Sequence, residues 1–230
     1  MKVKAILVAG GHGSRLYPFT NYTQKTLLPL YHRPILDYAL GTIRRSGIKD
    51  ITIISNQFIG QIAKHIGAGL DGERIHYVLE EKPAGVANAL LLARPHNEDC
   101  RLMVYFSDNI TTLELKQHVD HFSTSEMPPG CVLLAREEKN PQAFGVAELN
   151  SVGEIINIVE KPENPPSNLA IGGIYLYDER FWNFLDNCIE DKGQNLSISD
   201  INRLYVKDGT AKILSIGEET WLDCGTPDSL

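Results

Sequence analysis

The sequence predicts an α/β fold: a mixed, mostly parallel sheet with helices on both faces and an antiparallel extension. Three observations carry this. Apolar runs of strand length at residues 3–8, 50–55, 75–79 and 101–106 alternate with segments of helical period. That alternation implies parallel strands joined by right-handed crossovers, in a Rossmann-like core. After Pro128-Pro129-Gly130 the rhythm changes. Residues 131–135, 145–149, 154–159 and 170–177 are β-like runs too close together for helices, and the turn Asn150-Ser151-Val152-Gly153 implies antiparallel pairing.

Each element has its own signal. Residues 34–45 place Ile35, Leu36, Ala39, Leu40 and Ile43 on one helical face, with Pro34 suited to the first turn and Gly47 to the C-terminal cap. Residues 57–66 read as a short helix ending at Gly67, and residues 85–93 as a short apolar helix. A helix over 112–125 turns Leu113, Leu115, Val119 and Phe122 inward. Residues 180–189 and 199–206 read as helices, and 211–216 and 220–222 as closing strands. With no repeat, low-complexity tract or linker, the 230 residues read as a single domain, about 1–125 forming one half and about 126–230 the other.

Composition narrows the function classes. At 43% hydrophobic and 22% charged the chain has the balance of a soluble globular protein. Its net charge of −7 argues against a nucleic-acid partner or an anionic membrane surface, so any phosphate binding falls to local cations. Cys100, Cys131, Cys188 and Cys224 lack metal-ligand spacing and read as reduced residues, three of them in or beside apolar runs. Met1-Lys2-Val3-Lys4 leads straight into a strand with no signal peptide, and no apolar run spans a bilayer; a cytoplasmic location is expected.

Chemistry concentrates after the first strand. Gly10-Gly11-His12-Gly13 allows a sharp turn and close backbone approach to a ligand, and freed N–H groups in such a turn form an anion-binding concavity. Ser14, Arg15 and, ten positions on, Lys25 follow. Together they make a polyphosphate site, with Arg gripping oxygens bidentately and Lys acting as a point charge. The spacing is not that of a P-loop, and Leu16 stands where a dinucleotide fingerprint has its third glycine. The bland alternative is a strand–helix connection whose glycines only shape a turn. His12 is open to either a phosphate contact or plain solvent exposure.

Two acids sit at strand ends. Asp108 closes the run 101–106 through Ser107, and Asp223 follows Trp221-Leu222. Either could be a structural cap. Two isolated aspartates beside a phosphate-cradling turn favour a Mg²⁺ site instead, since Mg²⁺ takes few carboxylates plus waters and phosphate oxygens. In an open α/β sheet such residues meet at the carboxyl ends of the strands, near the switch point.

The pattern Gly10, Gly11, Gly13, Ser14, Arg15, Leu16, Pro18, Thr20, then Lys25, Leu27, Leu28, Pro29 and Pro34, resembles the sugar-1-phosphate nucleotidylyltransferases, and among them glucose-1-phosphate thymidylyltransferases. The resemblance covers nearly the whole chain. It implies condensation of a nucleoside triphosphate with a hexose-1-phosphate, glucose-1-phosphate first, to nucleotide-sugar and pyrophosphate. It implies that the antiparallel half carries the sugar site. Asp108 and Asp223 match the family's metal-binding aspartates, although Ser107 stands where relatives carry glycine. Glu160-Lys161-Pro162 matches a segment whose Lys contacts the sugar phosphate and whose Glu contacts a sugar hydroxyl. Gly145 and Ile171 match residues lying against the acceptor. The catalytic set implied is Arg15, Lys25 and Lys161, with no covalent intermediate. Longer members continue past the residue matching Asp223 with helices used in subunit packing and, in some, an effector site; a homo-oligomer is compatible with this sequence.

Base recognition is where the sequence departs from its relatives. Glu80 stands where they carry Gln, and Thr26 replaces another Gln; Gly85 closes the same loop. A Gln amide can donate to and accept from a pyrimidine imide, whereas a carboxylate only accepts. The remaining resemblance favours dTTP or UTP. GTP or CTP is the alternative, and in a further one Glu80 faces solvent while backbone around Gly85 selects the base. A non-catalytic nucleotide-sugar-binding subunit and an NAD-dependent oxidoreductase are the other classes; the first is disfavoured by the presence of Asp108, Lys161 and Asp223, the second by the missing glycine.

Overall fold

A computed structural model describes residues 1–11, 13–82, 84–193 and 196–225. His12 therefore lies outside the described residues. The elements in chain order are β1 (Val3–Val8), a short hairpin β2 (Pro29–Leu30) and β3 (Arg33–Pro34), α1 (Ile35–Arg45), β4 (Asp50–Ser55), α2 (Ile59–Ile66), β5 (Arg74–Leu79), α3 (Val86–Asn97), β6 (Arg101–Phe106) and β7 (Asn109–Thr111). They continue with α4 (Lys116–Thr124), β8 (Cys131–Glu137), β9 (Gly145–Leu149), β10 (Ile155–Glu160), β11 (Leu169–Tyr177), α5 (Phe181–Lys192), α6 (Ile198–Lys207), β12 (Ala211–Ser215) and β13 (Trp221–Asp223).

The predicted mixed sheet is present. Nine strands form it, in the order β10-β9-β11-β6-β1-β4-β5, with β8 on the other side of β11 and β12 beside β8. Strands β6, β1, β4 and β5 are mutually parallel, and β11 runs antiparallel to β6, β8 and β9. The chain steps outward from β1 to β4 and β5, then returns to the opposite side of β1 as β6. The loops leaving β1 and β6 thus diverge, and a crevice opens between them.

Side-chain alternation along β1 feeds both faces. Ala5 and Leu7 pack with Leu36 and Leu40 of α1, Ile62 of α2 and Phe122 of α4. Ile6 packs with Leu90 of α3, Phe181 of α5 and Tyr205 of α6. A strand covered on both sides must be apolar throughout, hence the unbroken run that marks it in the sequence. Gly47, at φ +86, closes α1 by donating its N–H to Arg44 O. The four cysteines are buried and unpaired.

Two expectations need correction. The helix expected over 85–93 runs on to Asn97, through Pro95. Tertiary bonds hold that last turn: Asn97 Nδ2 donates to Thr52 Oγ1 and Ala93 O, and Trp182 Nε1 donates to Asn97 O. The helix expected from residue 112 begins at Lys116, because residues 109–111 are taken by pairing with β13 and Thr112 N–H is held by Thr220 O. Leu113 is only half-buried as a result.

Strand β11 changes neighbours along its length. Its first residues pair with β9, Ile171 opposite Gly145; its last pair with β6, Ile174 opposite Tyr105. The register against β8 breaks between Ile171 and Tyr175. Gly172 and Gly173 occupy the break, and there Trp221 and Asn109 press onto the bare backbone. Bulges of this kind bend a strand and often adjoin functional sites.

Candidate active site

The crevice beyond the carboxyl ends of β1 and β6 is a cleft of about 590 Å³. Its walls include Gly13, Ser14, Arg15, Lys25, Asp108, Gly145, Glu160, Lys161, Ile171 and Asp223. A second cavity of about 300 Å³ adjoins it through Gly13, Lys25, Phe106 and Asp108, and reaches Gly10, Gly11, Thr26, Glu80 and Gly85. The catalytic, nucleotide, sugar and metal candidates named from the sequence, His12 apart, therefore each line one of two adjoining hollows.

The glycine turn is built tightly. Gly13 has φ +58, and a Cβ there would sit 2.8 Å from Thr20 Cγ2. Thr20 in turn donates to Gly13 O at 2.8 Å. Gln24, buried, donates its amide to Ala9 O and accepts from Lys25 N–H at 3.1 Å. This amide ties the end of β1 to the backbone that carries Lys25. Arg15 stands exposed at the rim.

Lys25 Nζ lies 2.5 Å from Asp108 Oδ2. Asn109 Nδ2 donates to the other oxygen of Asp108 at 3.0 Å. The amide oxygen of Asn109 accepts from Gly173 N–H at 2.9 Å and Trp221 Nε1 at 2.8 Å. One side chain thus ties β7 to the β11 bulge and to β13. The pairing of Asp223 with Asn109, and Cys224 N–H donating to Asp108 O, brings the second aspartate beside the first. Burial, and then the charge of Asp108, push the Asp223 carboxyl above its usual range; Lys25 and Arg15 draw it partly back.

Cations and carboxylates here nearly balance: Arg15, Lys25 and Lys161 against Asp108, Asp223 and Glu160. Among the described residues no cluster of three or more His, Cys, Asp and Glu could hold a metal. Two neighbouring carboxylates, one of them held reluctantly charged, instead fit a hard divalent cation that takes its other ligands from phosphate and water.

On the opposite wall, Ser199 Oγ at the start of α6 donates to Glu160 Oε2 at 2.6 Å. Gly145 leaves room for that contact; a Cβ there would lie 2.8 Å from Ser199 Oγ. Lys161 carries a backbone φ of +43, rare for a residue with a side chain, and its N–H donates to Phe144 O. Its Nζ stands 3.9 Å from Glu160 and is largely exposed, at the mouth of the cleft.

The reading that turned Glu80 to solvent is overturned: the residue is 3% exposed. Its Oε1 accepts from Asn88 Nδ2 at 2.9 Å and Ala84 N–H at 3.3 Å. Sequence reasoning missed Gln24, Asn88, Ser199 and the bridging function of Asn109. Only Asn109 carried a signal, its place directly after Asp108 at a strand end.

The chain matches known proteins over nearly its whole length. The nucleotidyl transferase family model matches residues 4–230. A glucose-1-phosphate thymidylyltransferase from Neisseria meningitidis is 34% identical over 99% of this chain and 80% of its own. A solved structure of a candidate glucose-1-phosphate thymidylyltransferase from Bacillus anthracis, in complex with sucrose, superposes with a TM-score of 0.92 at 33% identity, over 99% of this chain and 92% of that one. A UDP-glucose pyrophosphorylase complexed with UDP-glucose shares the fold at TM-score 0.84 and 20% identity, over 100% of this chain and 96% of that one. Motif, sheet order and cleft all converge with these matches on one conclusion: the chain belongs to the nucleotidyl transferase family.

Proposed function

We propose that the chain transfers a nucleotidyl group from a nucleoside triphosphate to the phosphate of a hexose-1-phosphate, releasing pyrophosphate. The observation that carries this is the convergence of Arg15, Lys25 and Lys161 with Asp108 and Asp223 around one cleft. Glucose-1-phosphate as acceptor and dTTP as the default donor follow the names of the relatives; UTP stands beside dTTP on the sequence resemblance alone.

An oxygen of the sugar phosphate attacks the α-phosphorus in line. The bond to the bridging oxygen breaks and pyrophosphate carries away that electron pair. Both reactants are anions, so the barrier is charge repulsion plus positioning. Arg15, Ser14 and backbone N–H groups of the glycine turn hold the β- and γ-phosphates. Lys25 neutralises charge at the reacting phosphates, and Lys161 draws the incoming sugar phosphate into the cleft. Glu160, oriented by Ser199, accepts from a sugar hydroxyl, with Gly145 and Ile171 lying against the sugar. Asp108 and Asp223 would hold Mg²⁺, which when bound supplies charge stabilisation at the α-phosphate. No residue need act as a nucleophile.

The chain acts in the cytosol on small-molecule substrates, a setting its four unpaired cysteines suit. No described helix is long and apolar enough to cross a membrane. The test is pyrophosphate release with glucose-1-phosphate, Mg²⁺ and each nucleoside triphosphate in turn. Release that requires both substrates is expected; none with any pair sinks the reading.

A further inference from the structure

The adjoining 300 Å³ cavity holds an unusual pair of polar side chains. Glu80 is buried there with no Lys or Arg in ion-pair distance among the described residues. Its carboxylate cannot swing out, because Asn88 at the start of α3 and the Ala84 N–H grip Oε1, while Glu80 N–H is fixed to Ser55 O. The other oxygen, Oε2, lies against Gly10, so close that a Cβ there would stand 3.1 Å away, and no described donor reaches it. Thr26 lines the same cavity, 2% exposed, with a hydroxyl that finds no hydrogen-bond partner among the described residues. Leaving the Thr26 hydroxyl buried and unanswered is costly, and the cavity beside it carries a Glu80 oxygen with no described donor, so a ligand that approached both would answer them.

The ligand must bring N–H groups to a carboxylate and a carbonyl to a hydroxyl. Thymine, uracil and guanine all present a carbonyl oxygen beside a ring N–H. They differ at the next position along that edge. The pyrimidines place a second carbonyl oxygen there, which a carboxylate repels. Guanine places an amino group, which a carboxylate binds with a charge-assisted hydrogen bond. Adenine and cytosine offer an amino group but set a bare ring nitrogen beside it, where the N–H should be.

We infer that this base pocket is built for guanine, with Glu80 accepting from the ring N–H and the amino group and Thr26 donating to the carbonyl. This rests on the nucleotidyl-transfer reading but departs from the donor that the relatives' names carry. Asn88 is a positioning residue: it touches Glu80, and through it sets where the acceptor oxygen points.

The experiment compares kcat/KM for GTP, ITP, dTTP and UTP with glucose-1-phosphate, alongside equilibrium titration of each nucleotide with Mg²⁺ and no sugar. GTP should exceed dTTP and UTP by about tenfold or more, and ITP, lacking only the amino group, should fall well below GTP. Glu80→Gln should reverse the ranking, losing GTP and gaining dTTP or UTP. Thr26→Val should weaken GTP and dTTP alike. A wild-type preference for dTTP or UTP, equal use of GTP and ITP, or an unchanged ranking in Glu80→Gln overturns the inference. If no triphosphate turns over, the titration still decides: tighter GTP than dTTP binding supports the base reading while transfer fails, and dTTP binding as tightly refutes it.

Discussion

Asp223 sits beside Asp108 because two three-residue strands pair: Asp223 registers opposite Asn109, and the next residue, Cys224, donates its N–H to Asp108 O. Burial and the neighbouring charge raise the Asp223 carboxyl above its ordinary value. The folded chain therefore holds that proton more tightly than the unfolded one, and stability falls as pH rises through the raised value. Asp223→Asn should raise Tm at pH 7 in the absence of metal while the Mg²⁺ needed for half-maximal turnover increases. The wild-type acidic limb of kcat/KM should also change in the variant. Calorimetry and a Mg²⁺ titration check this; an unchanged titration removes Asp223 from the metal site.

Lys25 joins the glycine turn to the acids through its 2.5 Å contact with Asp108. Lys25→Ala should lower kcat by about 10²–10³, the scale of losing one preorganised charge at a reacting centre. Far-UV circular dichroism should be unchanged, since the lysine is a cleft side chain and the packing of β1 lies elsewhere. Turnover near the wild-type rate would refute its assignment.

Lys161 couples strain to position. A left-handed backbone at a residue with a side chain costs about 1–2 kcal/mol, and the chain accepts it where Lys161 N–H meets Phe144 O. Lys161→Gly should leave stability unchanged or improved while the KM for the sugar phosphate rises sharply. Denaturant titration and initial-rate kinetics on one preparation separate the two effects. Loss of both together would mean that the lysine is structural.

Gly145 tests the sugar wall. Gly145→Ala puts a methyl 2.8 Å from Ser199 Oγ and 3.4 Å from Glu160 Oε2, prising apart a 2.6 Å hydrogen bond. The KM for glucose-1-phosphate should rise about tenfold or more, with the KM for the triphosphate unchanged. Equal effects on both substrates would place the sugar elsewhere.

What could be read beforehand follows from range. The β1 run, the glycine turn, Arg15 and Lys25 lie within one stretch of sequence, and periodicity with residue chemistry reports such stretches well. Asp108 and Asp223 were visible as acids at strand ends, but their meeting depends on β7 and β13, too short to show an alternating pattern. The start of α4 was misplaced for the same reason. Glu80 is flanked by Glu81 and Lys82, which are exposed, so nothing local marked it as buried. Asn88, eight residues on, holds it in, a contact made only when α3 docks.

A final prediction concerns the helix that supports Glu160. Asp200 caps α6: it accepts from Ser197 N–H and Oγ, and binds Lys192 at 2.6 Å as well as Arg203. Burial works against its charge, yet the hydrogen bonds from Lys192 and Ser197 and the charge of Arg203 hold its pKa at about 2. A carboxyl depressed on folding stabilises above its unfolded value, and that stability is lost as pH falls through the folded value. Between pH 5 and pH 2 the wild type should lose about 2 kcal/mol from this residue. Asp200→Asn should be less stable by a similar amount at pH 7 and should lack that part of the acid loss. Because Ser199 precedes Asp200 in the same turn and donates to Glu160, the variant should also raise the KM for the sugar phosphate. Urea titrations at several pH values test the first half, and acceptor kinetics the second. A variant equally stable at pH 7, with wild-type acid sensitivity, would show that the cap contributes nothing.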